Sequence, residues 1–591
     1  MALKREPAPA GAITELFDRL HDLHLDAGEP GVREIATGIG RGVLSYTTVH
    51  NVFRGPKVPK WGHLELIVEQ LGGDTEAFRL LWRTARLVEL ALPGRRVTED
   101  PRPPESAGTD QADATAVVPS QPVGGGVDRQ FDFVLVTSRI PFSNHSNGQA
   151  GAAGGVYGAG LDQVLRDLVV ERQGAWVGWA RQHGAGDPEL PDDLPWLPVS
   201  LSGREVERHL EGHCNSTLWP LYHYAIERPE FHRAWRDAYR VVNERYADTV
   251  ARAAAPGATV WVHDYQLQLV PELLRARRPD LRIGFFLHVP LPPPELFTRL
   301  PGRDETLQGL LGADVVGFQV PRSVGNFLRL CQELLHLRTS DGSVEVDGRT
   351  VLVGAYPASI DVGAIEKVVG QSRIRRRAQQ IRAEVGNPGV LIAGIDRLDY
   401  TKGIEQRLMA YGEILNDMRS VADPPVFIQV ATLSRERVAR YASLRERVDR
   451  LAGHLNGSYG RMGGPALRYT NTVLGFGEVV ALCRAADILV ATPLSDGMNL
   501  VAKEYVASRL DDRGVLVLSE FAGAAAELGE AVLVNPNDTD DLKDAILRAI
   551  AMRPAEQSRR MKAMRKRLRV HDGRAWVTSF ITALEGVSRP V

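Results

Sequence analysis

Between residues 11 and 92, apolar side chains recur at helical spacing. Leu16, Leu20 and Leu23 fall on one side of a helix predicted over residues 12–25. Val32-Arg-Glu-Ile-Ala, then Gly38-Ile-Gly-Arg-Gly, then residues 45–55 read as helix, glycine turn and a second helix capped by Ser45. Residues 61–71 and 75–90 predict two more amphipathic helices. From residue 93 to 130 the periodicity stops. That stretch is rich in Pro, Gly, Ala, Asp and Gln and includes Pro101-Arg-Pro-Pro-Glu and Gly124-Gly-Gly. It carries too little apolar surface to offset the entropy of ordering, so it is expected to be a flexible linker.

Beyond the linker the pattern changes to short apolar runs separated by helical segments. Strands are expected at Phe131-Asp-Phe-Val-Leu-Val-Thr, Thr259-Val-Trp-Val-His, Arg282-Ile-Gly-Phe-Phe-Leu-His and Val315-Val-Gly-Phe-Gln. A second set is expected at Val390-Leu-Ile-Ala-Gly, Val426-Phe-Ile-Gln-Val-Ala, residues 488–492 and Gly514-Val-Leu-Val-Leu-Ser. Continuous rather than alternating apolar runs belong to parallel strands covered on both faces. The fold class is therefore α/β. Two Rossmann-like doubly wound domains are expected over residues 131–365 and 366–575, joined near 361–372 and preceded by a small all-α helix-turn-helix-like domain, residues 1–92. Two such halves leave a cleft between the carboxyl ends of their sheets, which suits a two-substrate reaction.

Composition narrows the classes. Of 591 residues, 44% are hydrophobic and 24% charged, as in a soluble globular protein. A net charge of −2 excludes a chain coated in basic surface. No apolar run reaches the ~20 residues that span a bilayer, so no membrane association is expected. The amino terminus, Met-Ala-Leu-Lys-Arg-Glu-Pro, lacks the apolar core of a signal peptide. Cys214, Cys331 and Cys483 are scattered without metal spacing, and a reducing cytoplasm fits them. In the amino-terminal unit acids and bases nearly balance. Residues 45–54 would be the recognition helix of a DNA-binding unit, with Lys57 and Lys60 on phosphates. A DNA or a protein partner through residues 11–92 stays open, as does a homo-oligomer.

Candidate chemistry gathers at strand ends. Asp496-Gly-Met-Asn-Leu-Val-Ala-Lys-Glu504 follows a buried strand and opens a helix. Asp496 and Glu504 place carboxylates at either end of this turn, Gly497 permits close backbone approach, and the first helical N–H groups can face a sugar or diphosphate. Arg397 and Lys402, five residues apart after a strand, can put two cations on one diphosphate. Arg435 follows another strand. Arg139 ends the first strand, and Gly154-Gly155 follows as a candidate phosphate cradle. His263-Asp264-Tyr265 and His288 end two further strands. The Asp540-Asp541 pair reads as a helix cap. No Asp-X-Asp pair follows a strand in the manner of a metal-bridged nucleotide site, so no metal is expected.

Five motifs in register carry a resemblance. His263-Asp-Tyr, Gly284-Phe-Phe-Leu-His-Val-Pro, Arg397-Leu-Asp-Tyr-Thr-Lys-Gly, Asp496-Gly-Met-Asn-Leu-Val-Ala-Lys-Glu and Phe521-Ala-Gly-Ala-Ala occur in the order and spacing of glycosyltransferase family 20. Residues 131–585 resemble the trehalose-6-phosphate synthases of that family. The resemblance implies a GT-B fold, with residues 576–591 returning as a helix to the first Rossmann-like domain. It implies a retaining transfer of glucose from UDP- or GDP-glucose to glucose 6-phosphate, with the nucleotide-sugar as co-substrate and no tightly bound cofactor. Arg397 and Lys402 would grip the donor diphosphate. Asp496 and the backbone from Gly497 through Met498 and Asn499 to Leu500 would hold the sugar, and Glu504 the ribose. Gly155 would face the donor phosphates, and His288 would contact the glucose near its reacting carbon. Asp264 would orient the acceptor sugar, and Arg139, Trp219 and Arg435 would surround its phosphate.

The chain departs from the family pattern at three places. Leu210 stands where alignment on residues 215–220 puts a phosphate-binding Tyr, Gln266 where a His follows His-Asp-Tyr, and Ser495 where many relatives carry Arg. Two alternatives therefore stay open. One is a pseudo-glycosyltransferase, or a transferase using another sugar or cyclitol phosphate. The other is a sugar-nucleotide-sensing DNA-binding regulator. The donor base is not fixed by the sequence.

Overall fold

The fold comes from a computed structural model. It describes residues 11–39, 44, 46–54, 58–59, 61–91, 129–140, 159–179, 194–435, 438–461 and 464–587. The chain divides into two compact units, Met1–Pro122 and Val123–Val591.

The first unit holds five helices: α1 (Ala12–Asp26), α2 (Val32–Ile39), α3 (Tyr46–Arg54), α4 (Trp61–Gln70) and α5 (Thr75–Ala91). The apolar stripe of α1 is wider than Leu16 and Leu20, because Phe17 is also fully buried. These side chains meet Ile35, Val49, Phe53, Leu64, Ile67 and Val68 in one core. Helices α2 and α3 pack against each other, and α3 leaves Tyr46, His50, Asn51 and Arg54 exposed. Ser45, Lys57, Lys60 and most of the expected linker lie outside the described residues.

The second unit contains two sheets. The first has nine strands: β1 (Phe131–Arg139), β2 (Ala175–Trp179), β3 (Trp196–Val199), β4 (Ala254–His263), β5 (Arg282–Phe286), β6 (Val315–Phe318), β7 (Arg338–Ser340), β8 (Ser343–Val346) and β9 (Arg349–Ala355). Their order is β3-β2-β1-β4-β5-β6-β9-β8-β7. The pairs from β3 to β9 are parallel, and β7 and β8 close the edge as an antiparallel meander. The second sheet is wholly parallel: β10 (Leu391–Arg397), β11 (Val426–Thr432), β12 (Leu467–Thr470), β13 (Ile488–Ala491), β14 (Val515–Ser519) and β15 (Val532–Val534), ordered β12-β11-β10-β13-β14-β15. All eight sequence-predicted strands are present. Six of the seven added strands, β2, β3, β7, β8, β12 and β15, span only three to five residues, a length that gives little periodic signal.

Helices cover both faces, which is why Val260, Trp261 and Val262 of β4 are all buried. The helix Gly573–Glu585 crosses back onto β5 and β6 of the first sheet. Its Phe580 needs room there. A Cβ at Gly284 or at Gly317 would lie 2.7 Å from the Phe580 ring. Gly284 of the Gly-Phe-Phe motif and Gly317 of β6 therefore serve packing of the last helix.

Candidate active site

The Asp496 turn is built as a strand–turn–helix. β13 leads into Thr492-Pro-Leu-Ser-Asp-Gly-Met-Asn, and the donor helix Leu500–Ser508 follows. Asn499 is the N-cap, at φ 85°, and its side-chain oxygen accepts from the Ala502 amide at 3.0 Å. The same side chain donates to Asp496 Oδ2 at 3.2 Å. One residue thus caps the helix and orients the carboxylate. The turn is also joined to the loop after β14. Asp496 N–H donates to the Phe521 carbonyl (3.2 Å), Gly523 N–H to the Asp496 carbonyl (3.2 Å), and Ala524 N–H to the Met498 carbonyl (2.7 Å). Gly497 also makes a close approach within the protein. A Cβ there would lie 2.0 Å from the His288 carbonyl oxygen, so the glycine lets the turn touch the end of the first sheet.

Lys402 reaches the same carboxylate. Its Nζ lies 2.6 Å from Asp496 Oδ2, and both side chains are largely buried. Burial works to raise the Asp496 carboxyl, and Lys402 more than reverses this, holding it below the ordinary carboxylate range. The backbone under Lys402 is held by the wholly buried Arg407. Arg407 donates to the Lys402 carbonyl, to Asp396 Oδ2 at 2.6 Å and to the Val490 carbonyl at 2.9 Å. Arg397 lies 5.2 Å over the Trp219 ring and has no ion-pair partner among the described residues. Glu504 lies one turn into the donor helix, 3% exposed, with no side-chain partner among the described residues. Burial pushes its carboxyl up to about 8.

Across the cleft, β4 and β5 end in two histidines that contact each other. His263 Nδ1 and His288 Nε2 are 2.9 Å apart, with the rings stacked at 5.2 Å. Burial holds His288 down to about 4, and burial together with the neighbouring His288 holds His263 well below the ordinary imidazole range, so both are neutral at pH 7. Gln319 approaches His288 Nδ1 at 3.5 Å and accepts from the Ala358 amide at 2.8 Å. The Ala358 carbonyl in turn accepts from Lys503 of the donor helix at 2.8 Å. The donor helix is therefore tied to the histidine pair through the crossover segment. Asp264 sits at φ 75° and accepts from the His288 amide at 3.2 Å. Burial raises its carboxyl to about 6 against the opposing pull of two amides, Arg397 and Arg435.

Trp219 forms the floor between the halves. It follows a 13-residue π-helix, Val206–Leu218, a rare geometry that often marks functional sites. Arg435 stacks 3.7 Å over its ring, at a backbone φ of 53°. The Arg435 guanidinium donates to Asp399 Oδ2 (2.8 Å), Tyr441 Oη (2.7 Å) and Tyr265 Oη (3.3 Å). Against its own burial, Asp399 is held down to about 2 by Arg435 and Arg397. Arg139 ends β1, its guanidinium 5.3 Å from the Trp179 ring, and acts electrostatically on Cys214 together with Asp264 and Arg435. Leu210 is buried in the large apolar cluster that draws residues from both halves.

The structure thus gathers Arg397, Lys402, Asp496, Asn499, Asp264, His288, Trp219 and Arg435 around one cleft. Met498 is buried and Leu500 half-buried beside them. Gly155 lies outside the described residues. Sequence reasoning missed the His263–His288 contact, Gln319, Arg407 and His223. The only signal was a histidine at the end of each of two strands. Among the described residues no group of His, Cys, Asp or Glu could hold a metal ion.

Comparison with known proteins agrees with this geometry. The sequence profile of glycosyltransferase family 20 matches residues 132–586. Trehalose-6-phosphate synthase from Mycobacterium marinum is 48% identical over 485 residues, covering 80% of this chain and 97% of that protein. An α,α-trehalose-phosphate synthase (UDP-forming) from Burkholderia xenovorans, solved in complex with glucose-6-phosphate, aligns with a TM-score of 0.71 and 30% identity over 77% of this chain and 100% of its own. A trehalose-6-phosphate structure from E. coli, bound with UDP-2-fluoro glucose, aligns with a TM-score of 0.70 and 33% identity over 78% of this chain and 100% of its own. The chain belongs to glycosyltransferase family 20, and its two-sheet body is a GT-B fold.

Proposed function

We propose that this chain is a retaining trehalose-6-phosphate synthase, transferring glucose from a nucleotide-glucose to glucose 6-phosphate. The observation that carries the reading is the Lys402–Asp496 pair, 2.6 Å apart, at the head of a capped helix facing Trp219, Arg397 and Arg435. Arg397 and Lys402 hold the diphosphate and stabilise the charge that builds there as the sugar leaves. Asp496, with amides from Gly497 to Leu500, holds the glucose, and Glu504 the ribose. The family resemblance assigns Gly155, outside the described residues, to the donor phosphates. Neutral His288 contacts the glucose near its reacting carbon. Asp264 orients the acceptor, and Arg139, Trp219 and Arg435 surround its phosphate.

Retention follows from delivery of the acceptor hydroxyl on the face from which the diphosphate departs. The hydroxyl proton passes to the departing phosphate oxygen, so no carboxylate nucleophile is required. Orientation and charge neutralisation supply the rate. UDP-glucose is the favoured donor because the Burkholderia relative is named UDP-forming, with GDP-glucose the alternative. Incubation with UDP- or GDP-glucose and glucose 6-phosphate, read by mass detection, tests the reading. A cytoplasmic location accords with the absence, among the described residues, of a helix long and apolar enough to cross a membrane.

A different acceptor is the second reading, favoured by Leu210, which offers no hydroxyl to a phosphate. An aminocyclitol phosphate would be one such acceptor. For the amino-terminal unit, α2 packed against α3 favours a duplex-DNA partner over a protein one. So does the run from Glu34 to Glu65, which holds four basic residues and no acidic one between them. Salt-dependent DNA retardation by the full chain supports that partner; no retardation at low salt leaves protein contact.

A further inference from the structure

His223 lies one turn after Trp219. It is the C-cap of the helix Trp219–Tyr222, and the next two residues, Tyr224 and Ala225, both have positive φ, 59° and 54°. The chain therefore leaves the helix abruptly and holds the imidazole inward, where it is 1% exposed. Its Nδ1 is 2.8 Å from the Trp219 carbonyl oxygen. A carbonyl only accepts, so Nδ1 carries the hydrogen and the neutral ring presents a lone pair at Nε2. Among the described residues nothing pairs with Nε2.

The ring packs 4.1 Å from the Trp219 ring, which itself lies under Arg435 and Arg397. The charged groups that act on His223 are Asp399, Lys402 and Asp496, all from the second half, and Asp496 feels His223 in return. A buried, unpartnered acceptor thus faces the donor pair across the cleft. Phosphate oxygens only accept and are repelled by such a lone pair, whereas a sugar hydroxyl donates to it.

We propose that His223 is a further donor-site residue, whose Nε2 accepts a hydrogen bond from one hydroxyl of the transferred hexose. The inference rests on the cleft binding a nucleotide-hexose. Burial holds the imidazole down to about 4, so the acceptor form persists across the working pH range.

The test pairs enzyme and substrate deletions. Full-length protein, His223→Phe and His223→Asn are compared on UDP-glucose and its 2-, 3-, 4- and 6-deoxy analogues, with glucose 6-phosphate as acceptor. Unsubstituted protein should lose about 10–100-fold in kcat/KM on one of the four deoxy donors, because the lone pair is left unmet. Both variants should lose a similar factor on UDP-glucose and less than about 3-fold more on that deoxy donor. UDP affinity should stay within about 3-fold. A merely structural role would lower all five donors equally. Variants that discriminate among the deoxy donors as the unsubstituted protein does would overturn the proposal. Calorimetric Kd values for the same donors give the same ratios if turnover is absent, and absence of turnover counts against the transferase reading instead.

Discussion

The amine of Lys402 and the carboxylate of Asp496 lie 2.6 Å apart across the donor turn, though they are expected to serve different parts of one substrate. Each is the other's counter-ion. On the proposed reading, donor binding exchanges this pair for diphosphate oxygens at Lys402 and a sugar hydroxyl at Asp496. The pair therefore keeps both groups charged and aimed until the donor arrives.

Breaking the pair from either side should be severe. Lys402→Ala leaves a buried carboxylate unpaired and Asp496→Ala a buried amine, each costing about 3–5 kcal/mol locally. Activity should fall at least about 100-fold in each variant. The double variant should be less than additive in stability by about 1–3 kcal/mol, measured by chemical unfolding.

Donor affinity should rise with pH. Burial pushes Glu504 up to about 8, so at pH 7 most molecules hold it protonated. An ionised carboxylate is the stronger acceptor for ribose hydroxyls, so UDP should bind more tightly as pH climbs from 7 toward 8.5 and level off above. Calorimetric titration of the protein and of Glu504→Gln checks this, with a flat profile expected for the variant.

The protein should be acid-labile. His209 and His213 are held down to about 3, and His223 and His288 to about 4, all chiefly by burial. Their depressed values mean that the unfolded chain binds more protons than the folded one. Stability is thus full above the usual 6.5 and lost as pH falls from there toward 4, at about 1.4 kcal/mol per pH unit for each histidine. Melting temperature measured between pH 7.5 and 4.5 should drop steeply below pH 6.

Gly497→Ala should damage activity more than stability. The added methyl would meet the His288 carbonyl at 2.0 Å and push the donor turn away from the first half. A loss of about 10–100-fold in kcat is expected for a displacement of about 1 Å at reacting groups. Steady-state kinetics with thermal melting separates the two effects.

Much of the architecture was legible because buried parallel strands leave unbroken apolar runs, as at Val426 and Ile488. The short edge strands β3, β7 and β15 were not legible, since so few residues carry no period. At the site, the sequence placed Asp496, Arg397 and Lys402 at strand ends. It could not show that Lys402 pairs with Asp496, because that contact joins two loops 94 residues apart. Nor could it show His263 against His288, or the turn at Tyr224 that buries His223. The close approach of Gly497 to the His288 backbone was not legible either, since it joins two distant loops.

The central claim is that this cleft joins glucose from a nucleotide to glucose 6-phosphate with retention. One measurement tests it most directly: incubation with UDP-, GDP- and ADP-glucose plus glucose 6-phosphate, followed by mass and NMR analysis of the product. The predicted result is α,α-trehalose 6-phosphate with at least one donor, lost in Asp496→Ala. Absence of that product with every donor, or an inverted linkage, would contradict the account.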